Sequence, residues 1–359
     1  MDRRTPPDAG AALAAPATRR RISRTSSAAP TPTSSLLARL LPAARSIPGL
    51  STIGPLGALI LAMVFFSLES DQFLKGENLS LVLQQVIEVG VLAVGQTLII
   101  VTAGIDLSCG AVMAFGMIVM TKLAVVSGVP AIPAILIGVA ACTSFGLLNG
   151  ALVTKVRLPA FIVTLGTLNI AMALVHIYSN EETIANVPSA MTFFGRIFTI
   201  GGTGITYGVV VMLVLYAVVW YVLTQTAWGS HVYAVGNNPQ AARLAGIRTD
   251  RLLISVYGVA GAIYGVAALL LVARTEVGDP NAGQTDNLDS ITAVVLGGTS
   301  LFGGRGNVLG TLIGAVIVGV FRNGLVLMGV SSVYQILITG ILVILAVSVD
   351  QLSHRKERA

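Results

Sequence analysis

Seven polar side chains stand in otherwise apolar stretches of this 359-residue sequence, and they are its best candidates for chemistry. An acidic residue in apolar surroundings is costly, so Glu88 and Asp106 are functional candidates by default. Amide and hydroxyl groups in such stretches either line a wet path for a polar solute or bond neighbouring helices together. The candidate path residues are Glu88, Gln96, Asp106, Asn149, Thr164, Asn169 and Gln335.

The two acids differ in their positions. Glu88 lies about two turns from the end of its apolar stretch. An ionised carboxylate there must face water or a partner, and Arg322 is a partner of suitable type. Asp106 comes just before a stretch that begins near Ser108, at what we predict to be the inner edge of the membrane. Its carboxylate can cap a helix that starts there, and this capping role is compatible with a role in transport.

Patterns for catalysis and metal binding do not occur in the sequence. A phosphate-binding loop needs G-x-x-x-x-G-K-[ST], and the glycine-rich run 301–307 lacks the lysine and the hydroxyl. The three histidines are scattered, and Cys109 and Cys142 show no metal-ligand spacing. We therefore predict no catalytic residue, no metal, no cofactor and no ATP-hydrolysing site in this chain.

The composition indicates that membrane-spanning helices hold these residues. Hydrophobic residues make up 54% of the chain and charged residues 11%, with a mean hydropathy of +0.84, whereas soluble domains carry about 25% charged residues. The apolar residues form blocks of about 20, the length that crosses a hydrocarbon core as a helix. We predict an all-α membrane protein with about ten transmembrane helices. The predicted spans are 52–69, 80–103, 108–127, 130–152, 160–178, 207–224, 252–272, 289–302, 308–328 and 332–350.

Glycines indicate one interrupted helix and one close helix–helix contact among these spans. The segment 289–302 is too short to span comfortably and contains two adjacent glycines, which predicts a short or broken helix lying against other protein. Gly258, Gly261 and Gly265 form a smooth stripe on one span, which predicts close helix packing within one protomer or between two.

Basic residues predict the orientation and organisation of the chain. With both termini in the cytoplasm, 17 of the 22 Lys and Arg residues fall on the cytoplasmic side and only three on the other. Residues 1–50 read as a disordered basic tail that can end in an interfacial helix, with an organellar transit peptide as the minor alternative. Residues 51–351 form the transmembrane domain, and 352–359 form a second basic tail. The net charge of +6 reflects loops beside the membrane and not nucleic-acid binding.

The long loop 225–251, on the predicted cytoplasmic side, contains signals for a short helix. Asn238 followed by Pro239 is typical of a helix N-terminus, and Gly246 is typical of a helix C-terminus. The spacing predicts a helix over 239–245 that projects from the membrane. Such a helix is either a handle for a partner protein or part of an ordinary ordered loop.

Six segments, in order along residues 78–350, form one specific combination. They are VTAGIDLSCG at 101–110, GLLNG at 146–150, LPAFIVTLGT at 158–167, YAVGNNPQAARLAGI at 233–247, AVVLGGTSLFGGRG at 293–306 and NGL at 323–325. This combination resembles the permease subunits of bacterial ABC importers for sugars of the ribose, xylose and fructose type. Cys109 stands where the family usually has valine or another small residue, a conservative departure. The basic tail is not part of the pattern.

The resemblance implies a set of partners. It implies a homodimeric, multi-pass permease in a bacterial inner membrane, an ABC ATPase subunit in the cytoplasm and a periplasmic sugar-binding protein. The short cytoplasmic helix of such permeases docks on the ATPase. Carried over to this sequence, the docking residues are Asn238, Pro239, Ala242, Arg243, Leu244 and Gly246. The acidic loop 273–289 would then receive the binding protein, or it is simply solvated.

Three alternatives to this interpretation remain. A permease of the same architecture could carry branched-chain amino acids or nucleosides, although the scarcity of charges in the spans favours sugar. An ion-coupled secondary transporter would use Glu88 and Asp106 as coupling groups. A membrane scaffold or sensor would suit the ordered loop but not the polar residues in the spans.

Overall fold

The computed structural model describes residues 50–358 with the exception of Gly202, and helices dominate this part of the chain. A π-helical turn, Leu152–Val156, extends the fourth helix, and Phe193–Gly195 is a 3-10 turn. The helices are α1 Leu50–Glu69, α2 Gly76–Val101, α3 Cys109–Val125, α4 Ala131–Ala151, α5 Ala160–Ser179, α6 Ser189–Thr192, α7 Tyr207–Gln225, α8 Ala227–Asn237, α9 Pro239–Leu244, α10 Thr249–Thr275, α11 Asp286–Leu296, α12 Val308–Leu327 and α13 Ser332–Arg358.

Among the described residues, six helices are both long and apolar enough to cross a membrane. They are α2, α4 with its π-helical turn, α5, α7, α10 and α12. Shorter apolar helices lie in α1, α3 and α13. The prediction of a mostly helical membrane protein is therefore confirmed, whereas the count of ten spans and the cytoplasmic position of both termini stay predictions.

One short hairpin departs from the all-α prediction. Strand β1, Ile197–Ile200, pairs antiparallel with strand β2, Thr203–Thr206. Most of these residues are β-branched and favour strands, and Gly201 between them has a φ of +57°, which glycine adopts without strain. Strands of four residues are too short to show alternation in the sequence, so the sequence pattern does not predict them.

The central helix is α2, which is buried along nearly its whole length. A helix that is apolar on every side is expected to lie inside protein. It packs antiparallel to α12, as two polar contacts show. Asn78 and Asn323 exchange two side-chain hydrogen bonds of 2.9 Å. Further along, the hydroxyls of Thr97 and Thr311 lie 2.8 Å apart.

The short helix predicted at 289–302 is present, with its bounds moved. It is α11, which covers only Asp286–Leu296. Gly297 and Gly298 end it, and Gly298 has a φ of +83°. An irregular segment, 297–307, then leads to α12. Helix α11 packs against α2, α12 and α13. With 11 residues it is too short to cross a membrane by itself.

A glycine seam joins α4 and α10. A Cβ on Gly261 would lie 2.5 Å from the carbonyl oxygen of Cys142, and a Cβ on Gly265 would lie 2.7 Å from the Cα of Val139. A Cβ on Gly146 would collide with the carbonyl of Tyr257. The predicted stripe therefore packs within one chain. The two backbones touch directly at Gly261 and Gly265, whereas Gly258 faces the side chain of Leu147.

The predicted tails lie at the limits of the described residues. Since α1 begins at Leu50, the predicted basic tail 1–50 lies outside the described residues except for that leucine. Helix α13 continues to Arg358, so the predicted tail 352–359 is helical up to that residue.

Candidate functional site

The short helix predicted in the loop 225–251 is present as α9. The side-chain oxygen of Asn238 accepts hydrogen bonds of 3.0 Å from the backbone N–H groups of Gln240 and Ala241. Pro239 occupies the first helical position. Gly246, with a φ of +88°, donates its N–H to the carbonyl of Arg243 and terminates the helix. Both caps are local, which is why the sequence predicts them.

The side chains of α9 divide into an anchored set and a free one. Ala242 is buried against the rest of the protein. Arg243 donates to the side chains of Asp250 and Thr249, each at 3.1 Å. Leu244 is 91% exposed, more than any other large hydrophobic side chain among the described residues. An exposed leucine on a doubly capped helix leaves apolar area that a partner protein can remove from water.

Helix α8 connects α9 to the bundle. The predicted loop 225–251 is therefore largely helical. Gly236 of α8 lies so close to the carbonyl of Val101, the last residue of α2, that a Cβ would collide with it. The Tyr233 hydroxyl donates to the carbonyl of Gly306 at 3.0 Å, and burial raises the pKa of this phenol, which keeps it neutral. Helix α8 thus contacts both the end of α2 and the segment 297–307.

Four of the seven candidate path residues meet at the Asp106 loop, defined as residues 102–108. The Asp106 carboxylate accepts from the backbone N–H of Ser108 at 2.8 Å and from its hydroxyl at 2.6 Å, just before α3 begins. Gln96 donates to the Asp106 carbonyl at 2.7 Å. Asn149 donates to the Ser108 hydroxyl at 3.1 Å, and Thr164 to the Ile105 carbonyl at 3.1 Å. All four candidates are fully enclosed by protein.

These contacts place Asp106 beside the last turns of α2. Gln96 lies five residues before the end of that helix, and its bond to the Asp106 carbonyl shows that the loop turns back along α2 after Val101. The position of Asp106 at the inner edge of the membrane stays a prediction. Its bonds to Ser108 match the capping role. The cluster fixes a break between two helices in this structure.

Two other candidates lie apart from this cluster. Asn169 is exposed on α5, and its amide donates only to the carbonyl of Leu165 in its own helix at 3.0 Å. Gln335 donates to the carbonyl of Val330 at 2.9 Å and lines a largely apolar groove of about 270 Å³ between α11, α12 and α13.

The seventh candidate, Glu88, lines a polar cavity of about 390 Å³, here called the Glu88 cavity. Helices α2, α3, α10 and α12 and the segment 277–286 form its walls. Glu88 accepts from Arg274 at 2.6 Å, and the side chain of Arg274 is one-third exposed. Arg322 also lines the cavity, but its closest acid is Asp289 at 3.9 Å. The partner of Glu88 is therefore Arg274 and not the Arg322 suggested by residue type.

Three residues of this cluster were missed by sequence reasoning. The sequence predicts that Arg274, Asp286 and Asp289 lie in a loop that receives a binding protein or is solvated, yet Asp286 and Asp289 are buried in the first turn of α11. One signal was available, because acids three residues apart share one helix face and favour a helix N-terminus. The sequence could not show that Arg274 pairs with Glu88 of α2, because the two residues are 186 positions apart.

Comparison with known proteins gives consistent results. The profile of a protein family described as branched-chain amino acid transport system / permease component matches residues 78–347. The fructose import permease protein of Rhizobium meliloti is 46% identical over 304 residues, which cover 83% of this chain and 84% of the relative. The ribose import permease protein of Bacillus subtilis is 37% identical over 83% of this chain and 92% of the relative. The D-allose transport system permease protein of Escherichia coli is 32% identical over 82% and 89%. No solved structure gives a significant match.

Proposed function

Because this chain belongs to the branched-chain amino acid transport system / permease component family, we propose that it is the transmembrane permease subunit of an ATP-driven sugar importer. The relatives named for fructose, ribose and D-allose import support sugar over branched-chain amino acids or nucleosides. The chain is a transport subunit and not an enzyme, so ATP hydrolysis belongs to a separate ABC ATPase subunit.

The observation that carries this proposal is helix α9. Asn238, Pro239 and Gly246 fix its two ends, and Ala242 anchors it. Arg243 and Leu244 are then the residues that contact the ATPase. Leu244 supplies apolar area that is free in the single chain, and Arg243 supplies a charge held in place by Asp250.

The coupling proceeds through α8. ATP binds more tightly to one arrangement of the ATPase subunits than to the other, and this difference shifts the equilibrium between two arrangements of the permease. When α9 moves with the ATPase, Gly236 and Tyr233 pass the displacement to Val101 and to the segment 297–307. Both places lie next to breaks between helices. Rigid helices can change their packing at such breaks without unwinding.

We further propose ten spans in a bacterial inner membrane, with both termini in the cytoplasm. The asymmetry of the Lys and Arg residues supports this orientation. It places α9 and the predicted tails 1–50 and 352–359 on the ATPase side. It places the Glu88 cavity towards the periplasm, where a sugar-binding protein would deliver its solute. Of the acids in the loop 273–289, Glu276 remains exposed for contact with that protein.

A second copy of the chain completes the path. Asn169 supports this, because it is exposed among apolar neighbours on α5 and bonds only to its own helix. Lipid tails offer an amide no partner, so its remaining donor and acceptor capacity is satisfied by water or by another protein chain. We place the path between the two copies, with Asn169 facing it. The adjacent helix break is held by four of the other candidates, Gln96, Asp106, Asn149 and Thr164. Gln335 lines the groove between α11, α12 and α13.

Reconstitution tests this function. The chain, its ATPase subunit and its sugar-binding protein are placed in proteoliposomes, and uptake of labelled D-fructose and D-ribose is followed. We expect uptake that requires ATP and both partners and that survives proton and sodium ionophores. The double variant Arg243→Glu, Leu244→Asp should abolish uptake but not membrane insertion, and Leu68→Ala, at an exposed leucine on α1, serves as control. Uptake abolished by ionophores in the presence of ATP would instead support an ion-coupled transporter.

A further inference from the structure

The Glu88 cavity collects charged side chains from four helices. Glu88 comes from α2, Arg274 from α10, Asp286 from α11 and Arg322 from α12. Taking such groups out of water costs several kcal/mol per ion unless each one is paired. This group of charges is therefore a poor source of stability, and a binding role accounts for it better.

The pairing among these groups is incomplete. Glu88 and Arg274 form a short ion pair at 2.6 Å. Asp286 is 4% exposed and lies beside Glu88, yet its Oδ2 atom has no hydrogen-bond partner. Arg322 lies 3.9 Å from Asp289, which is too long for a hydrogen bond. A buried acceptor on Asp286 and a half-exposed guanidinium on Arg322 thus face the same cavity. The buried Asp286 oxygen needs a donor that enters the cavity, and Arg322 has donors available to a solute there.

The charge pattern defines the chemical class of that partner. A hydroxyl group both donates and accepts, so it can donate to the Asp286 carboxylate while a neighbouring hydroxyl accepts from Arg322. Acids and guanidinium groups nearly balance in number, which gives no preference for a strongly charged solute. Leu271 and Met117 add apolar wall for the carbon face of a ring. The volume of about 390 Å³ lies within the range of small-molecule sites, about 300–1,000 Å³.

We propose that the Glu88 cavity is a binding site for a neutral, polyhydroxylated solute within the permease itself. The inference rests on the proposed function, because a sugar importer supplies such a solute, and it adds that this chain takes part in selecting the sugar. Asp286 and Arg322 contact the hydroxyls, and the Glu88–Arg274 pair holds the surrounding helices in position.

Protection of an engineered thiol tests the site. Gln284 is exposed and lines the cavity, whereas the native Cys109 and Cys142 are fully buried. The Gln284→Cys variant, assembled with the ATPase subunit in nanodiscs, is labelled with a polar maleimide. D-fructose or D-ribose should slow labelling saturably, by about threefold when the sugar is at twice its dissociation constant. The same concentration of acetamide, which has no hydroxyl, should leave the rate unchanged.

Variants that each remove one charge distinguish a contact with the sugar from a gating role. Asp286→Asn and Arg322→Gln should remove the protection by sugar while leaving the labelling rate without sugar unchanged. Glu276→Gln removes a nearby exposed carboxylate outside the cavity and should keep full protection. A labelling rate that rises in Asp286→Asn without sugar, with no saturable protection in the parent, would mean that the charges only close a gate.

The outcomes distinguish this proposal from the proposed function. If no sugar slows labelling, and the same preparation with binding protein and ATP imports that sugar, the binding site is refuted and the importer stands. If sugar is not imported at all, the proposed function fails first. Equal protection by acetamide would also refute the site, because it would show no recognition of hydroxyl groups.

Discussion

Replacing Leu244 by alanine isolates the contribution of α9 to partner binding. The side chain is 91% exposed in the single chain, so its loss should change the free energy of unfolding by no more than about 0.5 kcal/mol. Alanine lacks three of its carbons, and burial is worth about 0.8 kcal/mol per CH₂ group. If the ATPase covers the side chain completely, the variant should bind it about 2.4 kcal/mol more weakly, or about 50-fold in Kd.

Titration of the ATPase subunit onto the immobilised, nanodisc-embedded permease measures this difference. Leu68→Ala is the matched control, since it makes the same change at another exposed leucine, on α1, and should leave Kd unchanged. Asn238→Ala should also weaken binding, because loss of a helix cap costs about 1 kcal/mol. Asn238→Ser keeps an oxygen at the cap and should bind almost as the parent does.

Two results would refute the reasoning. An unchanged Kd for Leu244→Ala, measured on a preparation that assembles, would show that α9 does not dock through this residue. A fall in the unfolding temperature of several degrees for the permease alone would show that Leu244 packs within its own chain or against a second copy.

Three further predictions concern the interior of the chain. Gly236→Ala should lower stability by at least about 1–3 kcal/mol, the usual cost of overpacking, because the new Cβ meets a backbone carbonyl; thermal unfolding in detergent measures it. Asn78→Ala and Asn323→Ala should each cost about 1–3 kcal/mol by leaving the other amide buried and unpaired, and the double variant should cost less than their sum. Cys109 and Cys142 should not react with maleimide until the protein is denatured.

Each of these has its own control. Gly166→Ala places a Cβ in open space and should be neutral, so an equal loss there would contradict the argument from close contact. Strictly additive losses for the two asparagines would show that they do not interact. Labelling of either native cysteine in the folded protein, by contrast, would show that its helix opens readily.

Local chemistry determined which parts of the fold could be predicted. Helix α9 was predicted because Asn238, Pro239 and Gly246 act on neighbouring backbone groups. The long spans were predicted because an apolar block of about 20 residues has one stable arrangement in lipid. The hairpin was missed because its strands have only four residues each.

The candidate site was predictable only in part. Glu88 stood out because a carboxylate in an apolar stretch is costly. Its partner Arg274 could not be found, since their meeting depends on how α2 packs against α10. Likewise, Gln96 and Thr164 look like path residues in the sequence, and only the fold shows that they bond to the backbone of the Asp106 loop.

The glycine seam between α4 and α10 has a mechanical consequence. Where backbones touch directly, as Gly261 does at Cys142, a slide of one residue along either helix would drive a side chain into a peptide group. The two helices therefore move together as one rigid unit during any conformational change. Motion must therefore be absorbed outside this pair of helices, and the Glu88 cavity, where α10 faces α2, α3 and α12 across open space, is one place that can absorb it.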